Sequence, residues 1–321
     1  MTVDSFFDFW IDTKLKMTRI GTAEAYKVRY YKSIQPIIGN MKIVDVRLNH
    51  CQMIINNMID DDYGNATIKL TASVMRGIFD YAIECDIIVK NPCKISTRKE
   101  IGKPKKIKEA LTRENHKMFL QCIDGHIYEN QYRFILQTGL RIGELIGLKW
   151  EDVDLKKRTI KVNRSMHYVV GKKTWRCGSP KSTSGRRTIP LTDEAIEILQ
   201  RQKEMNNTLK VVPLECCDYI FISNKGALIT GEAYNTALSR LCKKYNMAHF
   251  SVHQLRHTYA TRCFEGGMKP KTLQAIMGHS EIGVTMDLYV HMTDDEMFSE
   301  IDKVANALKV SRLFMLLVLM N

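Results

Sequence analysis

Hydrophobic positions recur at helical spacing through the first ninety residues. Residues 3–17 carry Phe6, Phe7, Phe9, Trp10, Ile11 and Leu15 among polar residues, which predicts a short amphipathic helix. A second segment, which Thr22 could cap, carries Tyr26, Val28, Tyr30, Tyr31 and Ile34 and ends near Pro36 and Gly39. A third pattern occupies about 47–60. Asn65 opens a fourth, with Ile68, Leu70, Val74, Ile78, Phe79, Ala82 and Ile83, and the Asn91-Pro92 step stops it. This is a four-helix unit without a catalytic constellation, and its aromatic stripe reads as core rather than as a platform for stacked bases.

The pattern then breaks. Arg98 to Lys108 holds six basic residues against one Glu, with Gly102 and Pro104 among them. Such a run is either a solvated linker alone or, given the basic chain, a linker that also tracks phosphates. Leu111-Thr112-Arg113-Glu114 restarts the helical pattern and Tyr132 to Gln137 extends it. Strand-like runs follow at about 159–168 and 173–178 around a Gly171-Lys172-Lys173 turn, and a third lies at Arg186 to Pro190 after a polar turn containing Lys181. These make a small antiparallel sheet. Helices resume at Thr192 and, apart from a strand-like Tyr219 to Ile222, continue to about 308. The expected domains are 1–95 (helical), 96–109 (basic linker), 110–308 (second domain) and 309–321 (apolar tail).

Composition narrows the class. With 321 residues and 45% hydrophobic content the chain is expected to form two globular domains. A formal net charge of +13 points to a polyanionic partner, nucleic acid first and an acidic membrane surface second. Nine scattered cysteines without a Cys-x-x-Cys pair, and an N-terminus unlike a signal peptide, place the chain in a reducing cytoplasm. The longest apolar run, Leu313 to Met320, is less than half of the roughly 20 residues that a membrane helix needs.

Between residues 253 and 289 lie His253-Gln-Leu-Arg256-His257, Met277-Gly-His279-Ser and Tyr289-Val-His. On a helix His253, Arg256 and His257 share a face. Zinc is disfavoured: the protease motif needs Glu after the first histidine, where Gln254 stands, and Arg256 would set a cation beside the metal. No Gly-x-Ser-x-Gly elbow or phosphate-binding P-loop occurs. Phosphodiester chemistry fits best. Its transition state gathers negative charge on non-bridging oxygens, which paired guanidiniums clamp in a way that lysine cannot. Arg141 and Arg256 are the candidates. Imidazoles can donate to the same oxygens or move protons, and a tyrosine phenol becomes a nucleophile in such cationic surroundings. No metal and no cofactor are expected.

The segment from about 110 to 295 resembles the catalytic domain of the tyrosine recombinases, the phage-integrase family. The matching pieces are Thr-Gly-Leu-Arg141-Ile-Gly-Glu144-Leu, Pro-Lys181-Ser-Thr-Ser-Gly, His253-Gln-Leu-Arg256-His257, Met-Gly-His279-Ser and Thr285-Met-Asp-Leu-Tyr289-Val-His, in the family's order. Residues 1–90 are similar to its core-site DNA-binding domain. The nearest flavour is that of integrases from conjugative transposons and phages of Gram-positive bacteria.

The resemblance implies a fold that is mainly α with a small antiparallel β-sheet in the C-terminal domain, two domains forming a DNA clamp. It implies that Tyr289 attacks the scissile phosphate to give a 3′-phosphotyrosyl link, with Arg141 and Arg256 on the non-bridging oxygens. Lys181 protonates the leaving 5′-oxygen, His253 assists proton transfer, and His279 hydrogen-bonds the phosphate. Glu144 orients the arginine or a histidine, and His257 is structural. Lys103, Lys105, Lys106 and Lys108 are the expected phosphate contacts of the linker. Partners are double-stranded DNA at attachment or core sites and three further copies in a synaptic tetramer. An excisionase or a host DNA-bending protein are further candidates, with no membrane and a nucleoid-associated location. The family's additional arm-binding domain has no counterpart ahead of the first helix, and the segment after Tyr289 is expected to dock on a neighbouring protomer. Integration and excision of a mobile element is the favoured role. A resolvase of chromosome or plasmid dimers, a catalytically inactive DNA-binding relative and a type IB topoisomerase are the alternatives.

Overall fold

The computed structural model describes residues 1–18, 20–94, 102–103, 109–169, 171, 173–178 and 185–286. It divides the chain into two compact units, Met1–Ile107 and Lys108–Asn321.

The first unit is helical. Helix α1 (Val3–Met17) starts where the Thr2 hydroxyl accepts from Ser5 N at 3.2 Å. Helix α2 (Ile20–Arg29) runs through a π-helical turn, Tyr30–Ile34, into α3 (Gln35–Ile38). The wide turn brings Tyr30 and Ile34 inward together. Tyr30 lies flat on Phe7, with ring centroids 3.5 Å apart, and its hydroxyl donates to Asp4 Oδ1 at 2.6 Å. Helices α4 (Leu48–Asp60) and α5 (Asn65–Glu84) close the core with Ile54, Ile55, Ile68, Met75 and Phe79.

Helix α5 ends well before the Asn91-Pro92 step expected to stop it. Asp86 takes the left-handed conformation (φ 57°), and Ile87 N reaches back to Ala82 O at 3.0 Å, so a Schellman-type cap ends the helix. Asn91 instead folds the chain back, its side-chain amide donating to Arg76 O and Asp80 Oδ1. Gly102 and Lys103, read as linker, belong to the first unit: Lys103 N donates to Tyr63 O and Lys103 O accepts from Asn65 N. Lys103 Nζ pairs with Asp62 at 2.9 Å.

In the second unit the pattern from Leu111 to Gln137 forms two helices rather than one, α6 (Arg113–Cys122) and α7 (Glu129–Thr138), separated by a turn at the left-handed Gly125. After the short α8 (Ile142–Ile146) come five strands, β1 (Val153–Asp154), β2 (Thr159–Val162), β3 (Ser165–Val169), β4 (Thr174–Gly178) and β5 (Arg187–Pro190). All pair antiparallel, but as a three-stranded sheet, β1-β2-β5, and a separate hairpin, β3-β4. The run 159–168 is therefore two strands. Asn163 and Arg164 break it because both side chains turn to the buried Asp152, at 2.9 and 2.6 Å. The Tyr219–Ile222 segment forms isolated bridges to Lys149 and Leu228 instead of a strand.

Helices α9 (Asp193–Asn207), α10 (Gly231–Lys244), α11 (Val252–Glu265), α12 (Pro270–Met277) and α13 (Ile282–Met286) complete the unit. Helices resume at Thr192 as expected, where its hydroxyl caps α9 by accepting from Ala195 N. The core joins Phe119, Phe134, Phe221, Leu238 and Leu255. Among the described residues no helix is long and apolar enough to cross a membrane. Residues 287–321, and with them the expected docking segment and apolar tail, lie outside the description.

Candidate active site

Three arginines converge on one helix end. The last carbonyls of α12 have no partner within the helix, and each of three consecutive ones accepts from a different guanidinium. Ile276 O accepts from Arg187 Nε, Met277 O from Arg256 Nη2 at 2.6 Å, and Gly278 O from Arg141 Nη2 at 3.1 Å. The negative end of the helix dipole favours this gathering of cations.

A second helix end takes part. Helix α7 stops at Gly139, whose φ of 63° needs a residue without a Cβ, and an added Cβ would lie 2.4 Å from the Tyr259 ring. Gly139 O accepts from Arg256 Nη1. Arg141 follows two residues later at the start of α8, where Glu144 Oε2 accepts from Arg141 N at 2.9 Å. Gly143 allows α8 to lie against β3: a Cβ there would stand 2.5 Å from Ser165 Oγ.

Glu144 is the counter-charge. Its carboxylate is 3% exposed and accepts from Arg141 Nη1 at 2.8 Å and from both terminal nitrogens of Arg187 at 2.8 and 3.1 Å. Arg256 Nη1 stands 4.0 Å away. Burial alone would raise the Glu144 pKa, but the Arg187 hydrogen bonds and charge, with Arg141, hold it down at about 2. Arg256 is pushed down to about 9 by burial first and then by Arg141, and stays protonated at neutral pH.

His279 completes the cluster. Burial, then Arg256 and Arg141, push it down to about 4, so the imidazole is neutral at pH 7. A guanidinium only donates. Nε2, 3.0 Å from Arg256 Nη2, therefore accepts, and Nδ1 carries the proton toward Thr285 Oγ1 at 2.9 Å.

The structure thus brings together Arg141, Glu144, Arg256 and His279. His253 lies exposed on α11 with its ring centroid 4.6 Å from that of the half-buried His257. Lys181 and Tyr289 lie outside the described residues, as do Lys105, Lys106 and Lys108. Two members escaped the sequence reading. Arg187 sits two residues before the buried Ile189 on β5, and strand alternation puts both side chains on one face. That phase was the available signal. Thr285 is buried and holds His279 Nδ1 at 2.9 Å; it stands inside the quoted Thr285-to-Tyr289 motif, but nothing in that motif marks it as a partner of His279. Among the described residues no group of three His, Cys, Asp or Glu side chains could hold a metal ion.

This fixed set of cations, with Arg141 one-third exposed at its edge, suits an anion that gathers charge as it reacts. The profile of the phage integrase family matches residues 104–296, and that of the phage integrase N-terminal SAM-like domain matches residues 2–59. The chain belongs to the phage integrase family, the tyrosine recombinases. It is a site-specific DNA recombinase. Among similar proteins, the XerC-like tyrosine recombinase of Caldanaerobacter subterraneus subsp. tengcongensis is 28% identical over 314 residues, 91% of this chain and 80% of the relative. The transposase from transposon Tn916 of Enterococcus faecalis is 29% identical over 274 residues, 80% of this chain and 66% of the relative. The structure of the Tn1549 transposon integrase in complex with transposon right end DNA superposes with a TM-score of 0.82 at 28% identity, covering 95% of this chain and all of that one.

Proposed function

We propose that this recombinase integrates and excises a mobile genetic element, cleaving duplex DNA through a 3′-phosphotyrosyl intermediate at Tyr289. The observation that carries the reading is the cluster around Glu144, in which helix-end carbonyls hold Arg141 and Arg256, and Arg256 in turn holds a neutral His279. The relatives named for transposons support the mobile-element role over a dimer resolvase.

In this reading the phosphate docks at the exposed edge of Arg141, and the N–H groups of Arg256 not committed to protein oxygens complete the clamp on its non-bridging oxygens. His279 turns from Arg256 to the same phosphate in its other tautomer, donating from Nε2 while Nδ1 accepts from the Thr285 hydroxyl. Lys181 delivers a proton to the leaving 5′-oxygen, and the exposed His253 takes part in proton transfer. The phosphotyrosyl bond retains the phosphodiester's energy, so rejoining needs no nucleotide. Lys103, Lys105, Lys106 and Lys108 track the DNA backbone. Four protomers assemble on two synapsed sites, with an excisionase or a host DNA-bending protein as a candidate accessory partner.

Covalent trapping tests the reading. The full chain is incubated with a nicked duplex carrying the end sequence of the element that flanks its coding sequence, then denatured. The expected result is a protein–DNA adduct that disappears in Tyr289→Phe. Duplex binding without an adduct on that site would leave the inactive DNA-binding reading in place.

A further inference from the structure

We propose that Arg187 is a positioning residue for strand cleavage. It holds Glu144 and the end of α12 in one frame, so that Arg141 is left to face the phosphate. The inference rests on the recombinase reading above.

The geometry carries it. Arg187 is the most committed of the three guanidiniums. Its side chain is 5% exposed, its two terminal nitrogens fork onto the two Glu144 oxygens, Nη1 also reaches Gly185 O at 3.1 Å, and Nε reaches Ile276 O. Little donor capacity remains for a substrate. Arg141, by contrast, spends one nitrogen on Glu144 Oε1 and one on Gly278 O, and is 34% exposed. One carboxylate faces three cations, and the fork determines which of them it holds most firmly. Without Arg187, Glu144 would keep Arg141 as its only close side-chain partner among the described residues, with Arg256 4.0 Å away. Both arginines would then be drawn onto the carboxylate and away from the position a phosphate occupies.

Arg187 also ties separate parts of the site. Strand β5 pairs with β2, so Arg187 stands on the rigid edge of the sheet. From there it fixes the carbonyl that lies three residues before His279. Among the described residues the groups facing Glu144 are Arg141 from the start of α8, Arg187 from β5 and Arg256 from α11. His279 follows α12, and the Tyr259 phenol of α11 lies within reach of the Arg187 and Arg256 charges.

The test uses Arg187→Gln and Arg187→Lys in the full chain, with single-turnover cleavage of the same nicked duplex measured from pH 5 to 9 beside duplex affinity. Arg187→Gln is expected to slow cleavage about 100-fold, the size of a small misplacement of the reacting groups, with affinity nearly unchanged. It should also gain an acid limb, because Glu144 without its fork protonates more readily while the wild-type carboxylate stays ionised throughout. Arg187→Lys restores charge but not the fork, so the limb shrinks and the rate recovers only in part. The proposal is overturned if both variants cleave within a few-fold of wild type. It is equally overturned if Arg187→Gln is slow with a pH profile of unchanged shape, which marks a residue that only supports the fold. A wild-type chain that forms no adduct fails at the earlier step, and the recombinase reading falls together with this one.

Discussion

The two units keep their interiors together by opposite means. The first has an apolar, aromatic core: Phe7 on Tyr30, Trp10 beside Tyr26, and only Asn65 and Thr71 as buried polar residues among those described. The second buries Glu144 and Arg256 outright and Arg187 nearly so, beside a conventional apolar core. Hydrophobic burial is non-directional and tolerates small edits. A buried ionic cluster is directional, and each member depends on the others. The second unit can therefore hold charge at fixed positions, which the apolar interior of the first cannot do.

The largest expected effect tests this contrast with two edits of about one atom. Glu144→Gln leaves Arg187 and Arg256 buried without their counter-charge and should destabilise the second unit by about 3–5 kcal/mol. Ile54→Val in the first unit removes one methylene from a fully buried side chain and should cost about 0.5–1.5 kcal/mol. Urea unfolding reads both. Trp10 reports on the first unit and Trp150 and Trp175 on the second, so Trp10→Phe isolates the second transition. Equal losses in the two units would remove the distinction.

This contrast also explains what the sequence revealed. Helix α1 and the 47–60 helix were legible because an apolar stripe at helical spacing is a local signal, and it needs only one partner surface. Arg141, Glu144, Arg256 and His279 could be singled out because each stands in a short motif. Arg187 stands in none. Its partners Glu144 and Ile276 lie 43 and 89 residues away, and only the folded sheet brings them together. The division of 159–168 into two strands was hidden for the same reason, since Asp152 attracts Asn163 and Arg164 through tertiary contacts that periodicity does not register. The end of α5 was misplaced because an aspartate took the left-handed cap usually assigned to glycine.

Acid sharpens the comparison with a somewhat smaller effect. The folded-state pKa of Glu144, about 2, lies below its ordinary 4.5, so its contribution is complete above pH 4.5 and is lost as pH falls toward 2. That contribution is about 3 kcal/mol. His279, at about 4 against an ordinary 6.5, acts in the same direction in a higher window: its share is complete above pH 6.5 and is lost as pH falls toward 4. The urea midpoint of the second unit, read in the Trp10→Phe background, should therefore decline from pH 6.5 to 4 and more steeply below 4.5. His279→Gln should remove most of the first decline. Parallel declines in the two proteins between pH 7 and 4 would show that His279 does not carry it.

The smallest effect lies on the first unit's surface, at Lys103. Its 2.9 Å pair with Asp62 is open to solvent, both side chains being more than half exposed. Such pairs contribute at most about 1 kcal/mol and weaken with salt. Lys103→Ala should therefore leave the first unit's urea midpoint almost unchanged, quite unlike an edit to the Glu144 cluster. A pair held this weakly can exchange Asp62 for a phosphate. Loss of Lys103 should then lower the slope of log affinity against log salt by about one, with a similar weakening on any duplex sequence. An unchanged slope would mean that Asp62 keeps the lysine when DNA binds. Lys103 would then serve only to fasten residues 102 and 103 to the start of α5, and phosphate contact in the basic segment would rest on Lys105, Lys106 and Lys108.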